Sequence, residues 1–226
     1  MIGVDGLPEI VAGDDLASLI AEHAPLIEGD VVVVTQKIVS KSEGRTVTIA
    51  AEPDAKRVLA ESEAVRVLRR RGDLVVTETR HGFVCANSGI DLSNVAEGFA
   101  VLLPVDPDRS ARRLRDRLRA RTGLEVAVVI SDTFGRAWRR GVTDVAIGCA
   151  GIRAVVDLRG TTDALGRELV STEICVVDEI AAAADLVMGK ARGVPVAVVR
   201  GVDGAVLGQG SVADEVVRPY GEDLFR

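Results

Sequence analysis

Short valine-rich runs alternate with amphipathic stretches along the chain. The runs at 31–34 (VVVV), 74–77 (LVVT), 125–131 (EVAVVIS), 152–157 (IRAVVD) and 195–199 (PVAVV) are apolar, brief and β-branched, which predicts buried strands. Between them, 14–24 predicts a helix with Asp14 as cap and Leu16, Leu19 and Ile20 on one face. Further helices are predicted over 53–70, where Pro53 suits a first turn, and over 107–121 and 176–189. This alternation gives an α/β class, with the strands in an α+β mixed sheet. No Ser- or Pro-rich linker and no fixed-period repeat divides the sequence, so residues 1–226 are read as a single domain.

Composition narrows the function classes. With 47% hydrophobic and 27% charged residues the chain can bury a sizeable core, which excludes disorder as its main state. The 28 Lys and Arg against 34 Asp and Glu leave a net charge of −6, and aromatics make up only 3%, which argues against nucleic acid as a partner. The arginine-rich stretch at 109–122 fits that view: Leu114 and Leu118, four apart, give it an apolar face with the arginines in solvent. Arg69, Arg70 and Arg71 read as a charged helix end. Cys85, Cys149 and Cys175 are odd in number and lack C-x-x-C spacing, as in a reduced cytoplasmic protein. No signal-like start and no apolar run of about 18 residues points to a membrane. His23 and His81 have no nucleophile motif beside them and read as structural.

The common nucleotide fingerprints are absent: neither G-x-x-x-x-G-K-[ST] nor G-x-G-x-x-G occurs. Three polar segments carry the candidate chemistry instead. In ISDTFGRAWRRGVTDVAIGCAG (130–151), Asp132 and Thr133 follow an apolar strand, so their oxygens would project from its end and suit a hard divalent cation. Gly135, Arg136, Arg139 and Gly141 then offer close backbone approach and positive charge for phosphate. In ANSGIDLSNV (86–95), Asn87, Ser88, Asp91, Ser93 and Asn94 crowd one loop, and Asp91 is the natural second carboxylate for Asp132. In TQKIVSKSEGR (35–45), Lys37, Ser40, Lys41 and Arg45 are read as a loop after the VVVV strand, which is either solvated surface or, following a buried strand, a set of cations that could equally neutralise phosphates. An amide-forming ligase, a metal-dependent phosphohydrolase and a noncatalytic nucleotide-binding protein could each use these groups.

GLPEI (6–10), QKIVSKSEG (36–44), NSGIDLSNV (87–95), ISDTFGRAWRRGVTDVAIG (130–148) and DLRGTTDALGREL (157–169) together resemble the coenzyme F420-0:L-glutamate ligase family, in order from Leu7 to about Gly201. The resemblance implies a GTP-dependent γ-glutamyl ligase of F420 biosynthesis that joins L-glutamate to F420-0 through an acyl phosphate. It implies a GTP site at Leu7, Pro8, Glu9, Ile10, Ser40, Lys41 and Asn94, with Arg45 where some relatives have Lys. Asp91, Asp132 and Thr133 are implied to hold Mg2+ or Mn2+, with K+ as a further cation, while Arg136 and Arg139 steady the transferring phosphoryl group. MGKARG (188–193) aligns with a further nucleotide and metal region, where some relatives carry Gln in place of Lys190. A protonated lysine cannot ligate a cation, so Lys190 is assigned to phosphate. The family fold is an intertwined homodimer with the site near the subunit boundary, and some actinobacterial relatives append a flavin-binding domain.

Overall fold

The computed structural model describes residues 1–223. In chain order, β1 (Ile2–Gly3), α1 (Leu16–His23), β2 (Val31–Thr35) and α2 (Gln36–Ser42) come first. An insertion follows, made of β3 (Thr46–Thr48), α3 (Ala55–Ser62), β4 (Ala64–Arg71), β5 (Leu74–Thr79), β6 (Val84–Ala86) and β7 (Phe99–Val101). The chain returns through α4 (Pro107–Thr122), β8 (Ala127–Gly135) and β9 (Val142–Ala150), then β10 (Val156–Asp157), β11 (Glu173–Ile174), α5 (Val176–Met188), β12 (Val196–Val199) and α6 (Val212–Glu215). Among the described residues no helix is long and apolar enough to cross a membrane.

The main sheet has the order β1-β12-β2-β8-β9. Strand β2 runs parallel to β8, with Thr35 opposite Ser131, and the other pairings are antiparallel. Val31–Val34 and Val128–Ile130 are fully buried, so side chains on both faces of these strands are covered. Leu114 and Leu118 of α4 and Val177, Ala181, Ala184 and Met188 of α5 belong to the same core, which explains why α4 turns its arginines outward. Two close contacts seat α4. A Cβ on Gly148 of β9 would stand 2.4 Å from the Pro107 carbonyl carbon, so only glycine lets the helix start approach this strand. The buried Asp108 carboxylate accepts from Cys149 N at 2.8 Å, Val212 N at 3.0 Å, Ala213 N at 3.0 Å and Ser211 Oγ at 2.9 Å, tying α4 to β9 and α6.

The insertion has its own three-stranded sheet, β4-β5-β6, a β3-β7 ladder, and a small core of Ala60, Val75, Ile90, Ala100 and Leu102. Arg45 fastens it to the rest, donating to Leu103 O at 3.0 Å and to Glu63 at 3.0 Å; Arg80 meets the same Glu63 at 2.6 Å.

Several sequence expectations change here. The helix expected over 53–70 ends at Ser62, and 64–71 is strand β4, because pairing with β5 satisfies its backbone while Val67 packs against the small core of the insertion. Arg69, Arg70 and Arg71 therefore end a strand, not a helix. The segment read as a loop over 35–45 is mostly helix α2, whose Ile38 and Val39 reach the core. Of 152–157 only Val156–Asp157 forms a strand. Asp14 does not cap α1: Asp15 takes that position, and the Asp14 carboxylate accepts from Val11 N at 2.8 Å. Strand β8 runs on to Gly135, so Asp132 and Thr133 lie within it and not beyond its end.

Candidate active site

The sheet's polarity creates the site. Parallel β2 and β8 both finish at one edge of the core, where side chains of their last residues face open space. Because β12 is antiparallel to β2, the segment entering it, Gly189–Pro195, lies at that same edge. Because β1 is antiparallel to β12, its exit, the loop Leu7–Ile10, arrives there too. A cleft of about 360 Å³ results, walled by Leu7–Ile10, Thr35–Ile38 and Lys41, Asp91, Ser93, Asn94, Ser131–Thr133, Asp144, Asp185, Met188–Ala191 and Gly193–Pro195.

Its floor is a set of carboxylates and hydroxyls on β8 and β9. Thr133 sits opposite Asp144 in the β8–β9 ladder and donates its hydroxyl to Asp144 Oδ1 at 2.7 Å. Ser131 donates to the other oxygen, Oδ2, at 2.8 Å. Lys190 Nζ approaches Thr133 Oγ1 at 2.6 Å. Asp132 lines the same cleft; its Oδ1 accepts from Thr133 N at 2.8 Å, and its Oδ2 takes no hydrogen bond from any described residue. Burial pushes the Asp132 carboxyl up to about 7; the Thr133 N–H and Lys190 oppose that rise, while Asp144 and Asp91 add to it. Burial, with Asp144, likewise raises Asp185 on α5. An open carboxylate oxygen that burial disfavours as an anion is a place where an added cation is welcome.

Cations line the facing wall. Lys37 Nζ lies 2.8 Å from Asp91 Oδ2 and 2.8 Å from Ser93 Oγ, and Ser93 N donates to Asp91 Oδ1 at 2.7 Å. Burial works against the Asp91 anion, yet Lys37 and Ser93 hold its carboxyl below the usual range. Lys41, nearly buried, pairs with Glu9 and donates to Asn94 O at 2.8 Å, so it joins α2, the N-terminal loop and the 91–94 turn. Asn94 has φ +54°, a left-handed conformation that asparagine tolerates and that turns its carbonyl toward Lys41. All three cysteine thiols are pushed up to about 12, chiefly by burial, and none lines this cleft. His23 and His81 are tied to backbone carbonyls, at 2.8 Å from Leu19 O and 2.9 Å from Pro104 O.

The family model for F420-0:gamma-glutamyl ligase matches residues 6–201. This chain belongs to that family. The coenzyme F420:L-glutamate ligase of Methanothermobacter thermautotrophicus is 42% identical over 247 aligned residues, covering 100% of this chain and 98% of the relative. Those of Archaeoglobus fulgidus and Methanocaldococcus jannaschii are 43% and 37% identical, covering 99% and 100% of this chain and 94% and 96% of theirs.

Of the residues expected from the family resemblance, Leu7, Pro8, Glu9, Ile10, Lys41, Asp91, Asn94, Asp132, Thr133 and Lys190 converge on this one cleft. Four others lie elsewhere. Ser40 is buried inside α2, its hydroxyl donating to Gln36 Oε1 at 2.9 Å, and reaches the cleft only through Gln36, which lines it. Arg45 faces the insertion, as above, and Arg136 and Arg139 stand on an exposed turn outside the cleft wall. Asp144 and Asp185 were missed. Asp144 is eleven residues from Thr133 in sequence, so only a hairpin register could pair them; Asp185 lies within an otherwise apolar helix run, where a lone charge gives no signal. Among the described residues no three His, Cys, Asp or Glu side chains form a ready-made metal cage.

Proposed function

We propose that this chain is a cytoplasmic, GTP- and divalent-metal-dependent ligase of F420 biosynthesis, which joins the terminal carboxylate of F420-0 to the amine of L-glutamate and extends the product through γ-linkages. The observation that carries this reading is the cleft itself, in a chain of the F420-0:gamma-glutamyl ligase family: carboxylates on β8 and β9 face lysines on α2 across one opening. That pairing of charge suits a polyphosphate with its cation better than it suits an apolar ligand.

Asp132 and Asp91 would hold Mg2+ or Mn2+, with the Thr133 hydroxyl oxygen as a third donor and the remaining positions left to water and phosphate oxygens, as such ions prefer. The ion would draw charge from the phosphates during phosphoryl transfer. Lys41, with Glu9 displaced from it, offers a compact cation to the phosphates, and Lys190 offers a second from the opposite wall. A free carboxylate is a poor electrophile. An oxygen of the F420-0 carboxylate attacks the γ-phosphorus, the bond to GDP breaks, and an acyl phosphate forms. The glutamate nitrogen then attacks the acyl carbon, phosphate leaves with the C–O electron pair, and the amine gives up a proton to give the amide. No cysteine is required as a carrier, in keeping with thiols held protonated by burial.

A homodimer belongs to the same proposal. Between β10 and β11 the chain forms an arm, 158–172, in which Leu165 is 82% and Val170 77% exposed, apolar surface that a second copy would cover. F420-0 labelled with oxygen-18 in its carboxylate, incubated with GTP, Mg2+ and glutamate, should pass one label into released phosphate. Amide formed with wholly unlabelled phosphate would exclude the acyl-phosphate route, and phosphate released without any amide would favour a hydrolase.

A further inference from the structure

Among the described residues five carboxylates line the cleft, those of Glu9, Asp91, Asp132, Asp144 and Asp185. Four are already engaged. Glu9 pairs with Lys41, and Asp91 with Lys37 and Ser93. Asp132 accepts from the Thr133 N–H, and each oxygen of Asp144 takes a hydroxyl. The Asp185 carboxylate alone takes no hydrogen bond and makes no ion pair with any described residue. Its charged neighbours act on it only from farther off, Asp144 repelling and Lys190 attracting.

The fold gives no reason for an anion at this position. Asp185 stands in the last turn of α5, the negative end of the helix dipole, whereas Asp178 and Glu179 occupy the favourable first turn. No basic residue shares that last turn. Ala184 and Met188 beside it enter the core, while Asp185 is half-buried at the cleft. Burial and the Asp144 charge raise its carboxyl above the ordinary range, and Lys190 offsets this only in part, its ammonium being held by Thr133 at 2.6 Å. A carboxylate kept under these conditions has room for a cation from outside.

Chemistry decides which cation. A dication asks for about six oxygen donors. Among the described residues no three such side chains form a cage, and both oxygens of nearby Asp144 are taken. An ammonium asks for less, since one carboxylate and water can meet its N–H donors. Position agrees. Lys37 and Lys41 stand on α2 and draw phosphates to that wall, which leaves the α5 wall to a positive group. Asp144, whose charge reaches Asp185, also takes the hydroxyl of Thr133, so the two sides of the site adjoin.

We propose that Asp185 binds the ammonium of the incoming L-glutamate and so orients its nitrogen toward the acyl phosphate formed beside Asp132 and Thr133. This rests on the reading above that the reaction is amide ligation through an acyl phosphate.

The test is steady-state kinetics of the full chain with F420-0, GTP and Mg2+, on wild type, Asp185→Asn and Asp185→Glu, with either glutamate or hydroxylamine as nucleophile. Hydroxylamine captures acyl phosphates as hydroxamates and is uncharged at neutral pH, so it brings no ammonium for Asp185 to hold. Asp185→Asn should raise KM for glutamate about tenfold or more, the loss of a charge-assisted contact, while KM for GTP moves less than about twofold. The variant's loss of kcat/KM should be about tenfold smaller with hydroxylamine than with glutamate. Asp185→Glu, which keeps the charge on a longer arm, should recover part of the glutamate KM. An unchanged glutamate KM in Asp185→Asn, an equal rise in KM for GTP, or equal losses with the two nucleophiles would overturn the assignment of Asp185 alone. Wild-type protein that forms neither amide nor hydroxamate would overturn the functional reading and the assignment with it.

Discussion

The Thr133 hydroxyl gives its proton to Asp144, with Oγ1 2.7 Å from Oδ1 across the β8–β9 pair. The donor half of the hydroxyl is thus committed to the sheet, and its lone pairs face the cleft, where Lys190 Nζ now meets them at 2.6 Å. Asp144 is almost fully buried and also takes the Ser131 hydroxyl, so its two oxygens set the orientation of both flanking side chains. If Thr133 holds the proposed cation, a carboxylate behind it in this way would fix its direction and raise its basicity.

Asp144→Asn should therefore weaken the site without emptying it. One oxygen remains to accept, but the charge and the second acceptor are gone. The expected loss is about 10–100-fold in Mn2+ affinity or in kcat/KM. Mn2+ binding followed by electron paramagnetic resonance, with no substrate present, reads the effect directly; wild-type affinity in the variant would show that Asp144 is only a strand residue.

Lys41→Ala should weaken GTP binding more than glutamate use, because the ammonium is the nearly buried cation on the α2 wall and glutamate has no polyphosphate to meet it. A loss of about tenfold or more in GTP affinity by calorimetry is expected, consistent with a charge-assisted contact. Equal GTP affinity in variant and wild type would remove Lys41 from the nucleotide site.

Away from the cleft, Arg200 meets buried Asp30 at 2.9 Å on both carboxylate oxygens. Burial opposes the Asp30 anion, but Arg200 and the Ile27 N–H outweigh it and hold the carboxyl below its ordinary range. The unfolded chain consequently binds the proton more readily, so this contribution to stability is full above a pH of about 4 and fades as pH falls through the lower folded value. Arg200→Gln should lower the thermal midpoint by several degrees at pH 7, with the gap to wild type narrowing at pH 3. A gap of the same size at both values would show that lost packing, not charge, caused it.

Gly148→Ala tests the seat of α4. The added methyl would stand 2.4 Å from backbone carbon of Pro107, and neither strand nor helix start can yield without moving the core. Destabilisation of about 3 kcal/mol or more is expected by urea unfolding, at the upper end of overpacking effects. A cost below about 1 kcal/mol would mean that α4 slides freely on β9.

What the sequence determined on its own was local. Valine runs specified β2, β8 and β12, because β-branched residues in short unbroken apolar runs have no other good place than a buried sheet. Leu114 and Leu118 specified the inward face of α4 and so disposed of its arginines. The motif residues named the chemistry of the cleft through their likeness to a family. Tertiary structure decided what depends on register and polarity. That the exit of β1, the exits of β2 and β8 and the entry to β12 share one edge follows from a strand order that no local period encodes. Asp144 meets Thr133 only because it stands opposite it in the ladder, and Arg45, expected among the phosphate contacts, instead meets Glu63 and Leu103 of the insertion. Over 64–71 the competing periods were both present in the sequence, and pairing with β5 chose the strand, since its ladder satisfies the backbone while Val67 packs on the small core.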